Sequence, residues 1–205
     1  IRDRVKSRVI STFPFSPIGL VKEQSAIKCR TYKKALKYGI DITDFGSESA
    51  TIFEYGGRQI IFYDDSKLMT HVKYSILHEL GHPLNNHDFS VTDKEIYGRY
   101  EVETNYFAAQ LLMPEQVLRE FANRGIRITK EFLMQHFEVS ETAAKKRIET
   151  LAKTTVEWRS RQEKEFDDVI LFKFATFIDS ICPPRKNYYD FEDEYDRQRE
   201  RDSWY

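Results

Sequence analysis

The most chemically distinctive stretch of the chain is His78-Glu79-Leu80-Gly81-His82. On a helix, residues four apart lie one turn above each other, with about 5–6 Å between their Cβ atoms. Two imidazole nitrogens at that separation can bind one Zn²⁺ with bonds of about 2.0–2.1 Å. The glutamate after the first histidine can take a proton from a water that such an ion activates. The stretch therefore predicts two metal ligands, His78 and His82, and a catalytic general base, Glu79.

The residues before this motif predict a helix with one buried side. Val72, Ile76 and Leu80 repeat every four residues and form an apolar stripe opposite the histidines. Pro83 should end or bend the helix, because it lacks an N–H and its ring clashes with the preceding turn. The alternative is a helix with two surface histidines and a solvated glutamate, which this amphipathic context weakens.

A β-hairpin is predicted just before the motif helix. Residues 51–55 and 58–63 are rich in aromatic and β-branched side chains, and Gly56-Gly57 separates them. Two such runs joined by a Gly-Gly turn are typical of a hairpin. A small antiparallel sheet against one face of the motif helix is the layout of a zincin-like α+β core.

Two helix boundaries are also predicted in this half of the chain. Residues 24–38 have a helical pattern, and Gly39 is a suitable residue to end that helix. Ser66 is the expected N-cap of the motif helix, because its hydroxyl can accept a bond from a free backbone N–H.

The other histidines contribute less to the predicted site. His71 lies two turns before His78 on the same face, about 10 Å away by helical rise, which is too far to share an ion. His87 follows the motif closely and could form a polar wall of the site, but a surface histidine is favoured. His136 lies in a separate segment and is assigned no role.

A catalytic zinc needs a third protein ligand and one open position. Residues 94–113 predict a second helix, which Pro114 ends, and this helix offers Glu101 and Glu103. On a helix these two side chains point about 200° apart, so only one can face the metal. The pattern of the residues does not choose between them.

Residues 101–114, EVETNYFAAQLLMP, extend the pattern beyond the HELGH motif. The two motifs together resemble the ImmA/IrrE family of metallopeptidases, which are often encoded by phages and mobile elements. The family pattern is HExxH followed by Glu-Ala-Asn-x-Phe-Ala-x-x-Leu-Leu-Met-Pro, and Thr104 stands where alanine is usual. The resemblance covers about residues 50–151 and maps the third zinc ligand onto Glu103.

The resemblance implies a zinc-dependent endopeptidase in which His78, His82 and Glu103 hold Zn²⁺ and Glu79 is catalytic. It also implies a protein substrate, commonly a helix-turn-helix repressor whose cleavage changes transcription. The alternative from another class is a metal-bearing regulatory or toxin-like binding module without proteolysis, supported mainly by the helix-turn-helix-like segment described next.

Residues 129–137 and 141–151 predict two helices joined by a tight turn, with Ser140 as the N-cap of the second. Lys145, Lys146 and Arg147 are expected on its exposed side, where they could contact DNA phosphates. Nearby glutamates offset these charges, so packing or docking to a protein partner is favoured over DNA binding.

The predicted architecture is therefore α+β, with a zincin-like core followed by a mostly helical part that contains a helix-turn-helix-like element. We expect a metallopeptidase domain over 1–125, a helical region over 126–182 and a charged tail over 183–205. The tail combines acidic clusters with aromatic residues, so binding to a partner or to a cleft is a hypothesis for it.

Composition narrows the classes of function. The 205 residues include 32 basic and 33 acidic ones, for a net charge of −1, so no global charge favours nucleic acid or membrane partners. No apolar run approaches the roughly 18–20 residues that span a bilayer. Two cysteines, Cys29 and Cys182, do not suggest a disulfide framework. We expect a cytoplasmic protein, and the sequence leaves its oligomeric state open.

Overall fold

The computed structural model describes residues 10–23, 26–46, 48–153 and 160–183. The fold is α+β: one short helix, a small sheet and two 3₁₀ segments precede a mostly helical remainder. In chain order the elements are α1 (Pro17–Lys22), β1 (Ile27–Thr31), the 3₁₀ segments Tyr32–Tyr38 and Ile42–Phe45, β2 (Ala50–Tyr55), β3 (Arg58–Tyr63), α2 (Met69–Leu84), α3 (Lys94–Leu112), α4 (Glu115–Asn123), α5 (Lys130–Phe137), α6 (Glu141–Lys153) and α7 (Arg161–Ile181).

The three strands form one mixed sheet in the order β1-β3-β2. The predicted hairpin of β2 and β3 is confirmed, and Gly56 and Gly57 have φ of 57° and 71°, the left-handed conformation that tight hairpin turns require. The prediction of a wholly antiparallel sheet is wrong, because β1 pairs with β3 in the parallel direction, from Ile27 opposite Gln59 to Thr31 opposite Tyr63.

The predicted helix over residues 24–38 is also wrong, apart from 24–25, which lie outside the described residues. The chain forms β1 and then the 3₁₀ segment, and only Gly39 keeps its expected role, with φ of 72° at the end of that segment. Ile27 and Cys29 alternate into the core. The free side of β3 supplies their backbone with partners, and this non-local pairing overrides the local helical pattern.

Helix α2 confirms the predicted buried stripe. Val72, Ile76, Leu77 and Leu80 are fully buried, and the helix ends at Leu84, one residue after the proline that was expected to stop it. The N-cap prediction is wrong: Leu68 occupies that position without a side-chain bond. The hydroxyl of Ser66 instead donates to the carboxylate of Asp64, at 2.6 Å.

Helices α2 and α3 pack closely at Gly81. A Cβ atom at this position would lie 3.1 Å from Cγ2 of Thr104 and 3.2 Å from Cδ1 of Phe107. Both neighbours are buried, so neither moves aside freely. The absence of a side chain at Gly81 therefore sets the distance between the two helices that carry the candidate site.

The two helices predicted after residue 129 are present as α5 and α6. The hydroxyl of Ser140 accepts a bond from the N–H of Ala143 at 3.2 Å, as an N-cap should. Lys145 and Lys146 are exposed, but Arg147 is only 2% exposed. Its predicted position on the exposed side is wrong, because its Nε donates to the carbonyl of Met113 at 3.0 Å.

Helix α7 lies within the helical region predicted over 126–182. Phe174 and Phe177 are buried and contact Phe13, at ring-centroid distances of 4.6 and 5.2 Å.

No helix within the described ranges is long and apolar enough to cross a membrane. The tail predicted over 183–205 lies outside the described residues except for Pro183, and the three domain ranges stay predictions.

The two glycines of the helix pair provide a test of the close approach. Gly98 lies exposed in α3, with nothing within 4 Å of an added Cβ, so Gly98→Ala should raise the free energy of unfolding by about 0.5–1 kcal/mol. Gly81→Ala has the same gain in helix propensity but forces Thr104 or Phe107 to move. We expect the free energy of unfolding to rise less than in Gly98→Ala, or to fall, as measured by urea unfolding of the metal-free proteins. Equal gains would contradict the tight contact.

Candidate metal centre and active-site cleft

His78, His82 and Glu101 converge between α2 and α3. The Nε2 atom of His78 lies 3.3 Å from one carboxylate oxygen of Glu101, and Nε2 of His82 lies 3.6 Å from the other. One potential ligand atom from each residue lies within 4.8 Å of the other two. Donors at about 2.1 Å from a tetrahedral ion are about 3.4 Å apart. The spacing and the types of these three side chains therefore fit one divalent cation.

The electrostatics of the cluster also suit a cation. Burial lowers the pKa of His82 to about 4, and burial likewise lowers the pKa of His78, although the Glu101 carboxylate opposes the shift. Both rings are therefore neutral near pH 7, which is the form of histidine that binds metals. The Glu101 carboxylate faces two neutral imidazoles, so no positive charge in the cluster compensates it.

The structure brings Glu101, and not Glu103, to the two histidines. This differs from the placement that the family resemblance implied. The face of α3 turned toward α2 carries Glu101, Thr104 and Ala108, which are three and four residues apart, and the last two are fully buried. Glu103 points about 200° away from Glu101, and its side chain is 58% exposed.

One signal in the sequence could have chosen between the two glutamates. The small residue Gly81 lies inside the motif, and a neighbouring helix that approaches it closely must present small side chains. Thr104 is the small residue of α3 that packs against Gly81, beside the ring edge of Phe107. Glu101 shares the face of Thr104, because it precedes Thr104 by three residues. The residues that pack at Gly81, rather than the two glutamates themselves, therefore indicate which side of α3 faces α2.

His87 is a buried part of the site, so the favoured interpretation as a surface histidine is wrong. The residue is 7% exposed, and its ring stacks on Tyr100 with a centroid distance of 4.0 Å. Asn86 has φ of 58° and turns the chain back after α2. The backbone N–H of His87 then donates to the carbonyl of His82 at 3.0 Å.

His87 links Glu103 to His82. Nδ1 of His87 lies 3.1 Å from Nδ1 of His82, and its Nε2 lies 2.9 Å from a carboxylate oxygen of Glu103. If His82 donates from Nδ1, its Nε2 has no proton and is available to a metal. His87 then carries its proton on Nε2 and donates to Glu103. Chains of this kind orient metal-binding histidines in proteins.

Glu79 lies in the same cavity as the cluster. Its Oε2 accepts a hydrogen bond from the backbone N–H of Ile52, on the edge strand β2, at 3.0 Å. Burial raises the pKa of Glu79 to about 7, although the bond from Ile52 opposes the shift. The cavity has a volume of about 490 Å³ and is lined by His78, Glu79, His82 and Glu101 among others. The carboxylate is therefore held at the wall of an open cleft.

Asn105 connects the cleft wall to both helices. Its side-chain amide donates to the carbonyl of Glu101 at 2.7 Å, and its Oδ1 accepts from the hydroxyl of Tyr74 at 2.9 Å. The Asn105 side chain also forms a hydrogen bond with His78 that raises the pKa of this histidine. Asn105 therefore holds α3 in register with α2 beside the candidate metal centre.

The comparison with protein families agrees with this geometry. The model of the Peptidase_M78 family, described as the IrrE N-terminal-like domain, matches residues 35–149. No curated protein and no solved structure matches the chain. The matched range covers more than half of the chain and includes every residue of the cluster and of the cleft wall. It also confirms the resemblance that the two motifs indicated. The chain therefore belongs to the Peptidase_M78 family of IrrE N-terminal-like domains, which is a family of metallopeptidases.

Proposed function

We propose that this protein is a zinc-dependent endopeptidase, in which His78, His82 and Glu101 hold the ion and Glu79 is the catalytic base. The observation that carries the proposal is the convergence of two neutral imidazoles and one carboxylate at tetrahedral spacing. Two histidines and one glutamate are a ligand set of catalytic zinc sites, which leave a further position open. A bound zinc ion supplies Lewis acidity that activates a water and polarises a peptide carbonyl.

Glu79 would carry the proton transfers of the reaction. A group that accepts a proton and later releases it works best when its pKa lies near the working pH, and burial raises the pKa of Glu79 to about 7. The hydrogen bond from Ile52 fixes one of its oxygens. The carboxylate takes a proton from the attacking water and delivers it to the leaving amine.

The shape of the cleft supports an extended peptide as the substrate. Strand β2 is an edge of the sheet, and its residues Thr51 and Ile52 line the cavity. An extended chain can lie along such an edge and bind through its backbone. The family resemblance favours a regulatory protein, such as a helix-turn-helix repressor, as the source of that chain. Arg147 is buried, so only two of the three basic residues of α6 are available to contact DNA phosphates. A protein partner therefore remains favoured over DNA.

The role of Glu79 can be tested by Glu79→Gln. The variant should retain about one zinc ion per chain, because Glu79 is not among the ligands, and should lose about 10²- to 10⁴-fold in cleavage rate. Metal content is measured by atomic emission, and cleavage by gel analysis of a helix-turn-helix repressor offered as the substrate. Glu149→Gln, at an exposed position of α6 outside the cleft lining, is the matched control. Unchanged biological activity of Glu79→Gln would favour a metal-bearing regulator without proteolysis.

The third ligand can be tested by comparing Glu101→Gln with Glu103→Gln. Loss of a direct ligand should weaken zinc affinity by more than the roughly 10- to 100-fold typical of an outer partner. We therefore expect a larger loss for Glu101→Gln, and at most the outer-partner effect for Glu103→Gln, which acts through His87. Competition with a chromophoric chelator measures both affinities. The opposite ranking would assign the ligand to Glu103.

A further inference from the structure

A second groove lies beside the metal cleft, between α2, α3 and α6. Its volume is about 480 Å³. Three of its lining residues, Tyr74, Ser75 and Asn105, also line the metal cleft. The two depressions therefore share a wall, and a chain lying across this wall contacts both.

The two depressions carry opposite charge. The metal cleft contains the carboxylates of Glu48, Glu79, Asp88 and Glu101. Within the described parts of the chain, the second groove is lined by no aspartate or glutamate, but by Lys146 and Arg147 and by His71. Because like charges repel and opposite ones attract, the second groove favours an anionic group.

Arg147 is an unusual member of this lining. It is 2% exposed, and its guanidinium donates from Nε to the carbonyl of Met113 and from Nη2 to Oε1 of Gln110. No described carboxylate is in ion-pair contact with it: the nearby Glu115 carboxylate, which raises its pKa, pairs with Arg119 instead. No described residue accepts a hydrogen bond from its Nη1. A buried cation without a carboxylate in direct contact is costly, and burial lowers the pKa of Arg147 despite the effect of Glu115. A carboxylate that enters the groove would reduce this cost.

The rest of the groove suits the body of a peptide. Val102 and Tyr106 are 68% and 48% exposed, and Ala109 and Ala143 also line the groove. These apolar surfaces can cover the aliphatic part of a side chain while its charged end reaches a cation. The combination matches a glutamate or aspartate side chain better than a free inorganic anion, which has no apolar part to bury.

We propose that this groove is a substrate subsite that binds an acidic side chain of the peptide, away from the bond that is cleaved. The proposal rests on the proposed peptidase function, because the occupant is the same chain that enters the metal cleft. Lys146 and Arg147 supply the charge, and the shared wall at Tyr74 and Asn105 supplies the path between the two depressions. The groove would thus select among substrates without taking part in the reaction.

Binding to the zinc-loaded Glu79→Gln protein tests the subsite without cleavage. The probes are two fluorescein-labelled decapeptide libraries, randomised except for one central position that is glutamate in one and glutamine in the other. We expect the glutamate library to bind about fivefold more tightly, as a charge-assisted hydrogen bond allows. The difference should shrink at high salt, because exposed charges are screened. Fluorescence anisotropy measures both affinities.

Two neighbouring lysines provide the matched variants. Lys146 lines the groove, whereas Lys145 pairs with Glu141 at 2.9 Å and is not part of the lining. Each is replaced by alanine in the Glu79→Gln background, so the net charge changes equally. A glutamate preference that falls in Lys146→Ala and persists in Lys145→Ala supports the subsite. Equal binding of the two libraries by the parent, or equal effects of the two variants, overturns it.

Cleavage of the same libraries by the wild-type protein separates this proposal from the one on which it rests. A glutamate preference in binding without any cleavage would support the groove as a peptide-binding site and contradict the peptidase. Cleavage of both libraries at equal rates would support the peptidase and overturn the subsite.

Discussion

The close approach of α2 and α3 at Gly81 is the contact on which the candidate site depends. The missing side chain lets Thr104 and Phe107 pack against the helix backbone, and the same crossing brings Glu101 to 3.3 Å from His78. A third ligand on another helix can reach the ion only if both the distance and the rotation of that helix are fixed. The buried side chains packed where the two helices cross fix the distance and the rotation, because cores tolerate little change of volume.

Electrostatics explains why this packing must be firm. The cleft brings together the carboxylates of Glu79 and Glu101. Burial disfavours the charged form of Glu79, and likewise the charged forms of His78 and His82. Such an arrangement costs free energy in the folded protein until a cation enters. The apolar stripe of α2 and the small residues of α3 offset that cost elsewhere in the same two helices. The electrostatic cost of the site and the packing that offsets it therefore reside in the same two helices, α2 and α3.

The parts of this fold that sequence could predict are those determined by neighbours along the chain. The histidines four apart, the glutamate between them and the Gly-Gly hairpin follow from local geometry, and the structure shows the helix and the hairpin where they were expected. Strand β1 was missed because its parallel partner lies about thirty residues away, beyond any local pattern. The choice between Glu101 and Glu103 was left open, and the burial of His87 was not expected, for related reasons. The first depends on the rotation of a helix, and the second on one left-handed residue, Asn86.

Arg147 shows how the helices after the motif take part in the peptidase unit. Its guanidinium binds the carbonyl of Met113 and the side chain of Gln110, which lie at the end of the helix that carries Glu101. The family match extends to residue 149, so it includes this anchor. The central cation of α6 is therefore packed against the end of α3, the helix that carries Glu101. The same residue lines the groove beside the metal cleft, so α6 connects the packing of α3 to the surface next to the candidate site.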